Sequence, residues 1–433
     1  MNPKPSTLAQ KLVARASGRS DVTPGEIVNC QVDLAMFHDS SGPRRIKPML
    51  EELGTPIWDK SRVVLVMDHY VPERDEESRR IVRIAREWAH EQALPHVYDS
   101  QGICHVVVPQ HGHIRPGMFC VGGDSHSPTG GAFGAYMFGI GSTEMLGVLV
   151  TGEIWLRVPH TVQMFWQGQL AHGVVAKDMA LKMIGQFGMN GGEYQAVEYA
   201  GPAVKALSMQ ERMTLSNMSA ELGAQVGLIA PDDTTAAWLA KAGRPKGLPA
   251  WEDSARTDWR TDWFSDEGAT LTRHTFDAST LSPQVAAPHS PANTHNVEHF
   301  AGQRLDVAYI GACTGAKLED LRAAAQVLAG HKVAPGVRLM VAPASQQDQK
   351  DAEREGVLQT LLDAGADLFA TACGACAGYG ETLADNTTVI SSTARNFKGR
   401  MGSASAQVYL GSPYTVAASA LRGVITDPRE VLA

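Results

Sequence analysis

Through the last third of the chain, apolar runs of strand length alternate with amphipathic stretches of helix length, and this alternation restricts the fold more than any other feature. "RLDVAYIGA" (304–312) is followed by "KLEDLRAAAQVLAG", in which Leu318, Leu321, Ala325 and Leu328 share one helical face and Gly330 stops the helix. "GVRLMVAPAS" reads as a second strand, "QQDQKDAEREGVLQTLLDAG" as a helix ending at Gly365, and "ADLFATAC" and "NTTVISSTA" as two more strands. Strands separated by helices join in parallel, so the pattern predicts an α/β fold with a sheet flanked by helices. Ligands of such sheets sit beyond the carboxyl ends of the strands. Cys313 follows the first of these strands, Cys373 and Cys376 the third, and Arg395 the fourth, so residues far apart in sequence are expected at one edge.

The first third follows the same logic. "SRVVLVMDHY" reads as a strand ending at Asp68-His69, followed by the helical "SRRIVRIAREWAHEQAL". "GMFCVGGDSH" reads as another, delivering Asp124-Ser125-His126 at its end. The glycines of "SPTGGAFGAYMFGIGSTEM" let the backbone turn tightly or approach a ligand closely. A middle block spans roughly 159–285; its polar, Trp-rich stretch "PKGLPAWEDSARTDWRTDWFSDEG" fits no element, and "LSPQVAAPHSPANTHN" reads as a linker. At 433 residues the chain exceeds what one core holds, and three domains are expected at 1–158, 159–285 and 286–433.

A net charge of −8 argues against a dedicated nucleic-acid binder, while leaving room for a few arginines to form a local anion site. The start, "MNPKPSTLAQKLVARASGRSD", lacks the apolar core of a secretory signal, and no run approaches the length of a membrane span. Six cysteines are sparse for this length, which favours a reducing cytoplasm and free thiols over a disulfide scaffold.

Three constellations carry chemistry. A redox CxxC would open a helix and leave Cys313 unexplained, and a structural zinc site would want a fourth ligand at compact spacing. Cys313, Cys373 and Cys376 at one edge suit an iron–sulfur cluster that leaves one iron free of protein, able to polarise a substrate oxygen. Spacing alone leaves structural or incidental cysteines open as well. Asp68-His69 and Asp124-Ser125-His126, with His105 and Glu221 as further candidates, offer carboxylates that fix an imidazole tautomer for proton transfer; polar residues also collect at strand ends to cap helices. Arg395 and Arg400, in "SSTARNFKGRMGS", form a fork for a di- or tricarboxylate, or a solvated loop.

Taken together, "GGDSHSPTGGAFGAYMFGIGSTEM", "IGACTGAKLEDL", "CGACAG" and "ARNFKGR", in this order, resemble the aconitase superfamily, nearest to its branch of 3-isopropylmalate dehydratase large subunits. The resemblance runs from "LAQKLVARASGRSDVTPGEIVNCQVDLAMFHDSSGP" to "GSPYTVAASALRGVITDP" and implies a three-domain architecture with parallel or mixed sheets. It implies that Cys313, Cys373 and Cys376 hold a [4Fe-4S] cluster with one open iron. By the same resemblance Asp68, His69, His105, Asp124, Ser125, His126 and Glu221 are the acid/base and pairing residues, Asn217 lies near the cluster, and Arg395 and Arg400 bind carboxylate. His69 would protonate the departing hydroxyl, and His126 paired with Glu221 would manage water at the iron.

Two positions depart from the family pattern: Ala394 stands where it has the first Asn of "NRNF", and Gly315 where it has the Asn of "CTN". The serine segment "GSSREH" of single-chain aconitases is absent, which implies a separate small subunit carrying that catalytic serine and a further arginine. The expected activity is dehydration and rehydration of a hydroxy di- or tricarboxylic acid, foremost the interconversion of 2- and 3-isopropylmalate in leucine biosynthesis. The alternatives are a paralogue for another malate-type substrate (dimethylmalate, methylmalate or citraconate, maleate, homoaconitate), a non-catalytic iron–sulfur sensor, and a zinc-bearing or cluster-free descendant.

Overall fold

In the computed structural model of the chain, residues 4–243, 245, 262–379 and 382–432 are described. After β1 (Ile27–Gln31), strands β2 (Leu34–His38), β3 (Val63–Met67), β4 (His96–Asp99), β5 (Phe119–Gly122) and β6 (Tyr136–Gly139) form a parallel sheet ordered β4-β3-β2-β5-β6. β2 and β3 are buried at every residue, as a sheet covered on both faces requires. β7 (Glu153–Arg157) pairs antiparallel with β1 outside this sheet.

β8 (Thr161–Gln167), β9 (Ala196–Ala200), β10 (Val226–Ile229) and β11 (Thr272–Asp277) form a second parallel sheet, ordered β10-β9-β8-β11. The third sheet comprises β12 (Gln284–Ala286), β13 (Thr294–Asn296), β14 (Val307–Ile310), β15 (Arg338–Val341), β16 (Ala366–Leu368), β17 (Thr388–Ser391) and β18 (Gln407–Leu410). Its order is β13-β12-β18-β17-β14-β15-β16, parallel except for β12 and β13. The fold is thus α/β with parallel and mixed sheets flanked by helices.

Strand order reverses between β2 and β5 in the first sheet and between β14 and β17 in the third. At such a switch point the connections leave in opposite directions and open a crevice beyond the carboxyl ends. Met36 and Val64 of the first sheet share one buried apolar cluster with Ile310 and Leu339 of the third, which fixes the two crevices relative to each other.

The stretch expected to be one helix before Gly365 is two, Gln346–Arg354 and Val357–Ala364, broken at Gly356 (φ +76°). Apolar periodicity continues across the break, so the pattern did not reveal it. The Pro-rich segment expected to be a linker instead supplies β12 and β13, an antiparallel edge added to the third sheet. Of the Trp-rich stretch, residues 246–261 lie outside the described residues. No described helix is long and apolar enough to cross a membrane.

Candidate active site

The two crevices form one cavity of about 460 Å³, lined by groups from both sheets. From the first sheet come His38 at the end of β2, His69 just after β3, and Asp124, Ser125 and His126 just after β5, with His105 from the helix Cys104–Gln110. The third contributes Cys313 after β14, Cys373 and Cys376 after β16, and Ala394, Arg395 and Arg400 after β17. Asp68, Glu221 and Asn217 stand behind this lining, buried and bonded to it.

Each imidazole is held by a carboxylate. His69 Nδ1 donates to Asp68 Oδ1 at 2.7 Å, turning Nε2 away from that carboxylate, and Asp68 Oδ2 accepts the Cys104 N–H at 2.7 Å. His105 Nε2 lies 2.6 Å from Asp124 Oδ1, which also accepts the His126 N–H at 2.8 Å. His126 Nε2 lies 2.9 Å from Glu221 Oε1, and Arg395 reaches the same oxygen through Nε at 2.5 Å and Ser125 Oγ through Nη1 at 3.0 Å.

These surroundings push the rings apart in basicity. Burial opposes charge on His69, but Asp68, Asp39 and Asp124 outweigh it and hold the ring protonated up to about 10. For His105 burial prevails over Asp124 and its pKa falls. His126 is raised, because Glu221 and Asp124 overcome burial and the Arg395 charge. Glu221 is buried, yet His126 and Arg395 draw it down to about 2. Neighbouring groups driven in opposite directions form the pattern that divides acid from base.

All six cysteines are free thiols. Burial pushes Cys313 up to about 12, whereas a hydrogen bond with Cys373 and then the charges of Arg400, His126 and Arg395 draw Cys376 down to about 5. Asn217 Nδ2 donates to Cys313 Sγ at 3.3 Å and to Thr129 Oγ1 at 2.8 Å. Three soft sulfur donors thus face one cavity, Cys376 among them beside arginine charge, the donor set an iron–sulfur cluster takes. Asn217 Oδ1, Glu221 Oε2 and Arg400 Nε are buried around it with no protein partner, as groups awaiting a ligand are. The residues present fit the group.

Every site residue expected from sequence therefore lies in or directly behind one cavity. Sequence reasoning missed His38 and Asp39, whose signal was the dipeptide ending the apolar run "VDLAMFHD". The His38 ring stacks on His69 at 3.9 Å, and Asp39 accepts the backbone N–H groups of His69 (3.1 Å) and Tyr70 (2.8 Å). Also missed was Lys177, a fully buried lysine whose Nζ donates to the carbonyls of Ser392 and Thr393 and lies 3.4 Å from Thr314 Oγ1. It joins the Cys313 loop to the arginine loop, and only contact across the sheets identifies it. Arg45, at the start of the helix Pro43–Leu53, also lines the cavity.

The family model for the aconitase family (aconitate hydratase) matches residues 10–423. The 3-isopropylmalate dehydratase large subunit 1 of Methanopyrus kandleri is 43% identical, over 98% of this chain and 99% of its own. The 3-isopropylmalate dehydratase large subunit of Nitratidesulfovibrio vulgaris is 40% identical over 98% and 99%. The probable methanogen homoaconitase large subunit of Methanothermobacter thermautotrophicus is 38% identical over 98% and 97%. Among solved structures, the holo-form of Thermococcus kodakaraensis aconitase X shares the fold, with a TM-score of 0.50 and 13% identity over 85% of this chain and 84% of its own.

Proposed function

The chain belongs to the aconitase family, and from that premise we propose that it is the large, cluster-bearing subunit of a hydro-lyase that dehydrates and rehydrates a hydroxy di- or tricarboxylic acid. The family implies an iron–sulfur cluster; here Cys313, Cys373 and Cys376 would hold it as [4Fe-4S] with one iron free of protein. When bound, that iron supplies a Lewis acid for the substrate hydroxyl.

The chain's own residues carry the rest of the proposed chemistry. His69, kept protonated by Asp68, presents Nε2 as the proton donor to a departing hydroxyl. His126, poised between Glu221 and Asp124, receives and returns the proton of water, and His105 holds Asp124 in place. Arg400, with its buried Nε unpartnered, takes a substrate carboxylate as a fork, while Arg395 is steadied by Glu221 and Ser125 as it does the same. The observation that carries the reading is this facing of three thiols from one sheet by carboxylate-held imidazoles from the other.

The relatives' names as large subunits support a separate small subunit, which we propose brings the serine that abstracts the carbon-bound proton, and the six free cysteines favour a reducing cytoplasm. Interconversion of 2- and 3-isopropylmalate is the reading that the names of these relatives support. A substrate of the homoaconitase type is the second reading, supported by the 38% identity to a probable methanogen homoaconitase large subunit, while the departures at Ala394 and Gly315 count against the usual isopropylmalate site. At Gly315 the space of a side chain is filled: a Cβ there would lie 2.3 Å from Ser392 Cβ and Oγ.

The test is anaerobic reconstitution with iron and sulfide followed by assay of hydroxy acids with and without the cognate small subunit. Turnover only in the mixture is expected. Robust activity of the chain alone overturns the divided site, and inactivity of the mixture on every hydroxy acid overturns the enzyme reading.

A further inference from the structure

The cavity contains cations that its own carboxylates do not neutralise. Arg395 is committed to Glu221 and Ser125, and His69 to Asp68. Arg44 folds back, with Nε donating to the Ser40 carbonyl at 2.9 Å and its guanidinium over the Tyr70 ring at 5.3 Å. The neighbouring Arg45 does neither: it is exposed, lines the cavity, and its side chain has no hydrogen-bond or ion-pair partner among the described residues. Arg400 is the other free guanidinium, with a buried, unpartnered Nε.

These two groups stand on different sheets. Arg45 hangs from the helix after β2, and Arg400 from the loop between β17 and β18. A ligand that satisfies both must present anionic groups to both sheets. The wall nearest Arg45 is polar as well. Ser40, Ser41 and Ser142 line the cavity, and Ser142 Oγ donates to the Ser41 carbonyl at 3.2 Å, joining the start of the Arg45 helix to that of the helix Ser142–Thr151. Of the apolar side chains that line the cavity, Ile103 and Met145 are each only 1% exposed, while Ile140, two residues before Ser142, is half-buried. An alkyl arm there would strip water from a guanidinium and from the Ser40 and Ser142 hydroxyls, leave the buried, unpartnered Ser41 Oγ unsatisfied, and return no hydrogen bond, the arrangement that discriminates most strongly against an isostere.

We propose that Arg45 is a specificity-determining residue that binds a carboxylate on the substrate's third arm, so that the preferred substrate is a hydroxy tricarboxylate and not an alkyl-substituted malate. This rests on the hydro-lyase reading for the succinate-like core of the substrate, which Arg395 and Arg400 address.

The experiment compares two non-reacting probes that share that core. Tricarballylate carries a carboxymethyl arm, and 2-isopropylsuccinate an isopropyl arm. Binding is measured by calorimetry on the reconstituted two-subunit complex, with the wild-type chain, Arg45→Gln and Arg45→Lys. The wild type is expected to bind tricarballylate at least about tenfold more tightly than 2-isopropylsuccinate. Arg45→Gln should remove that preference and leave 2-isopropylsuccinate unchanged, and Arg45→Lys should keep part of it, since a point charge replaces a fork. Equal binding of the two probes by the wild type, binding of neither, or an equal loss of both in Arg45→Gln overturns the proposal. A complex that selects tricarballylate through Arg45 but dehydrates no hydroxy acid defeats the hydro-lyase reading instead. Turnover of alkyl malates indifferent to Arg45 defeats only the present one.

Discussion

At the scale of single residues, the site depends on pairing each ionisable group with a partner that sets its charge. Asp68 and His69 are adjacent in sequence, and Asp124, Ser125 and His126 are consecutive, so their grouping was legible once each run was placed at a strand end. Glu221 is 95 residues from His126, and only the folded chain brings its Oε1 within 2.9 Å of the ring. Lys177 and Arg45 were not legible at all: a lysine in an apolar helix and the second of two arginines after a proline resemble countless others. Arg400→Lys should raise KM for the substrate about tenfold to a hundredfold with a smaller change in kcat, because the ammonium keeps charge but loses the two-pronged hydrogen bond. Steady-state kinetics of the two-subunit complex checks this, and an unchanged KM would remove Arg400 from the substrate's path.

At the scale of elements, the strands after which the functional residues fall were recognisable because fully buried parallel strands are continuous apolar runs. Close contacts between loops were not, since sequence carries no record of distance. Ser392 illustrates this: its Oγ accepts the Gly311 N–H at 2.9 Å and donates to the Gly315 carbonyl at 3.1 Å, pinning the Cys313 loop to the arginine loop. Gly315→Ala would drive a methyl group to 2.3 Å from Ser392 and should cost about 1–3 kcal/mol of stability, read as a lower urea midpoint with an unchanged m-value. A second element-level device is the junction of β4 with the turn after the helix Cys104–Gln110. There His113 is fully buried, its Nε2 is 2.6 Å from the Tyr98 hydroxyl, and His96, His111 and Arg115 face it. Burial and then those neighbours press its pKa from 6.5 to about 3. Between these values the unfolded chain binds a proton that the folded ring refuses, so stability must fall as pH falls through that window. The loss is about 1.4 kcal/mol per pH unit. In His113→Gln the stability difference between pH 7 and pH 5 should shrink by roughly twice that, about 2 kcal/mol after incomplete titration near the upper end; an identical pH slope in variant and wild type would contradict the assignment.

At the scale of the whole molecule, the chain presents three thiols on one sheet and carboxylate-paired imidazoles on another, with a shared apolar cluster between the sheets. Composition revealed none of this. The order of the motifs did, because a family resemblance encodes the assembled arrangement that periodicity cannot. Cys376→Ser should therefore abolish activity and lower the iron and sulfide content after reconstitution, since one of three anchors is lost. Chelating the iron from the wild type should lower the melting temperature towards that of the variant, because binding restricted to the folded state stabilises it. Full iron occupancy in the variant would refute the ligand assignment.

The Cys373 N–H donates to the Asp68 carbonyl at 2.8 Å, and the Tyr70 and Tyr379 hydroxyls meet at 3.1 Å a few residues further along both segments. The backbone of the Cys373 turn is thereby fastened to the backbone that leads into His69. A designer who transplants the cysteine turn to another scaffold must therefore bring the Asp68 strand end with it, or the turn arrives without its mooring.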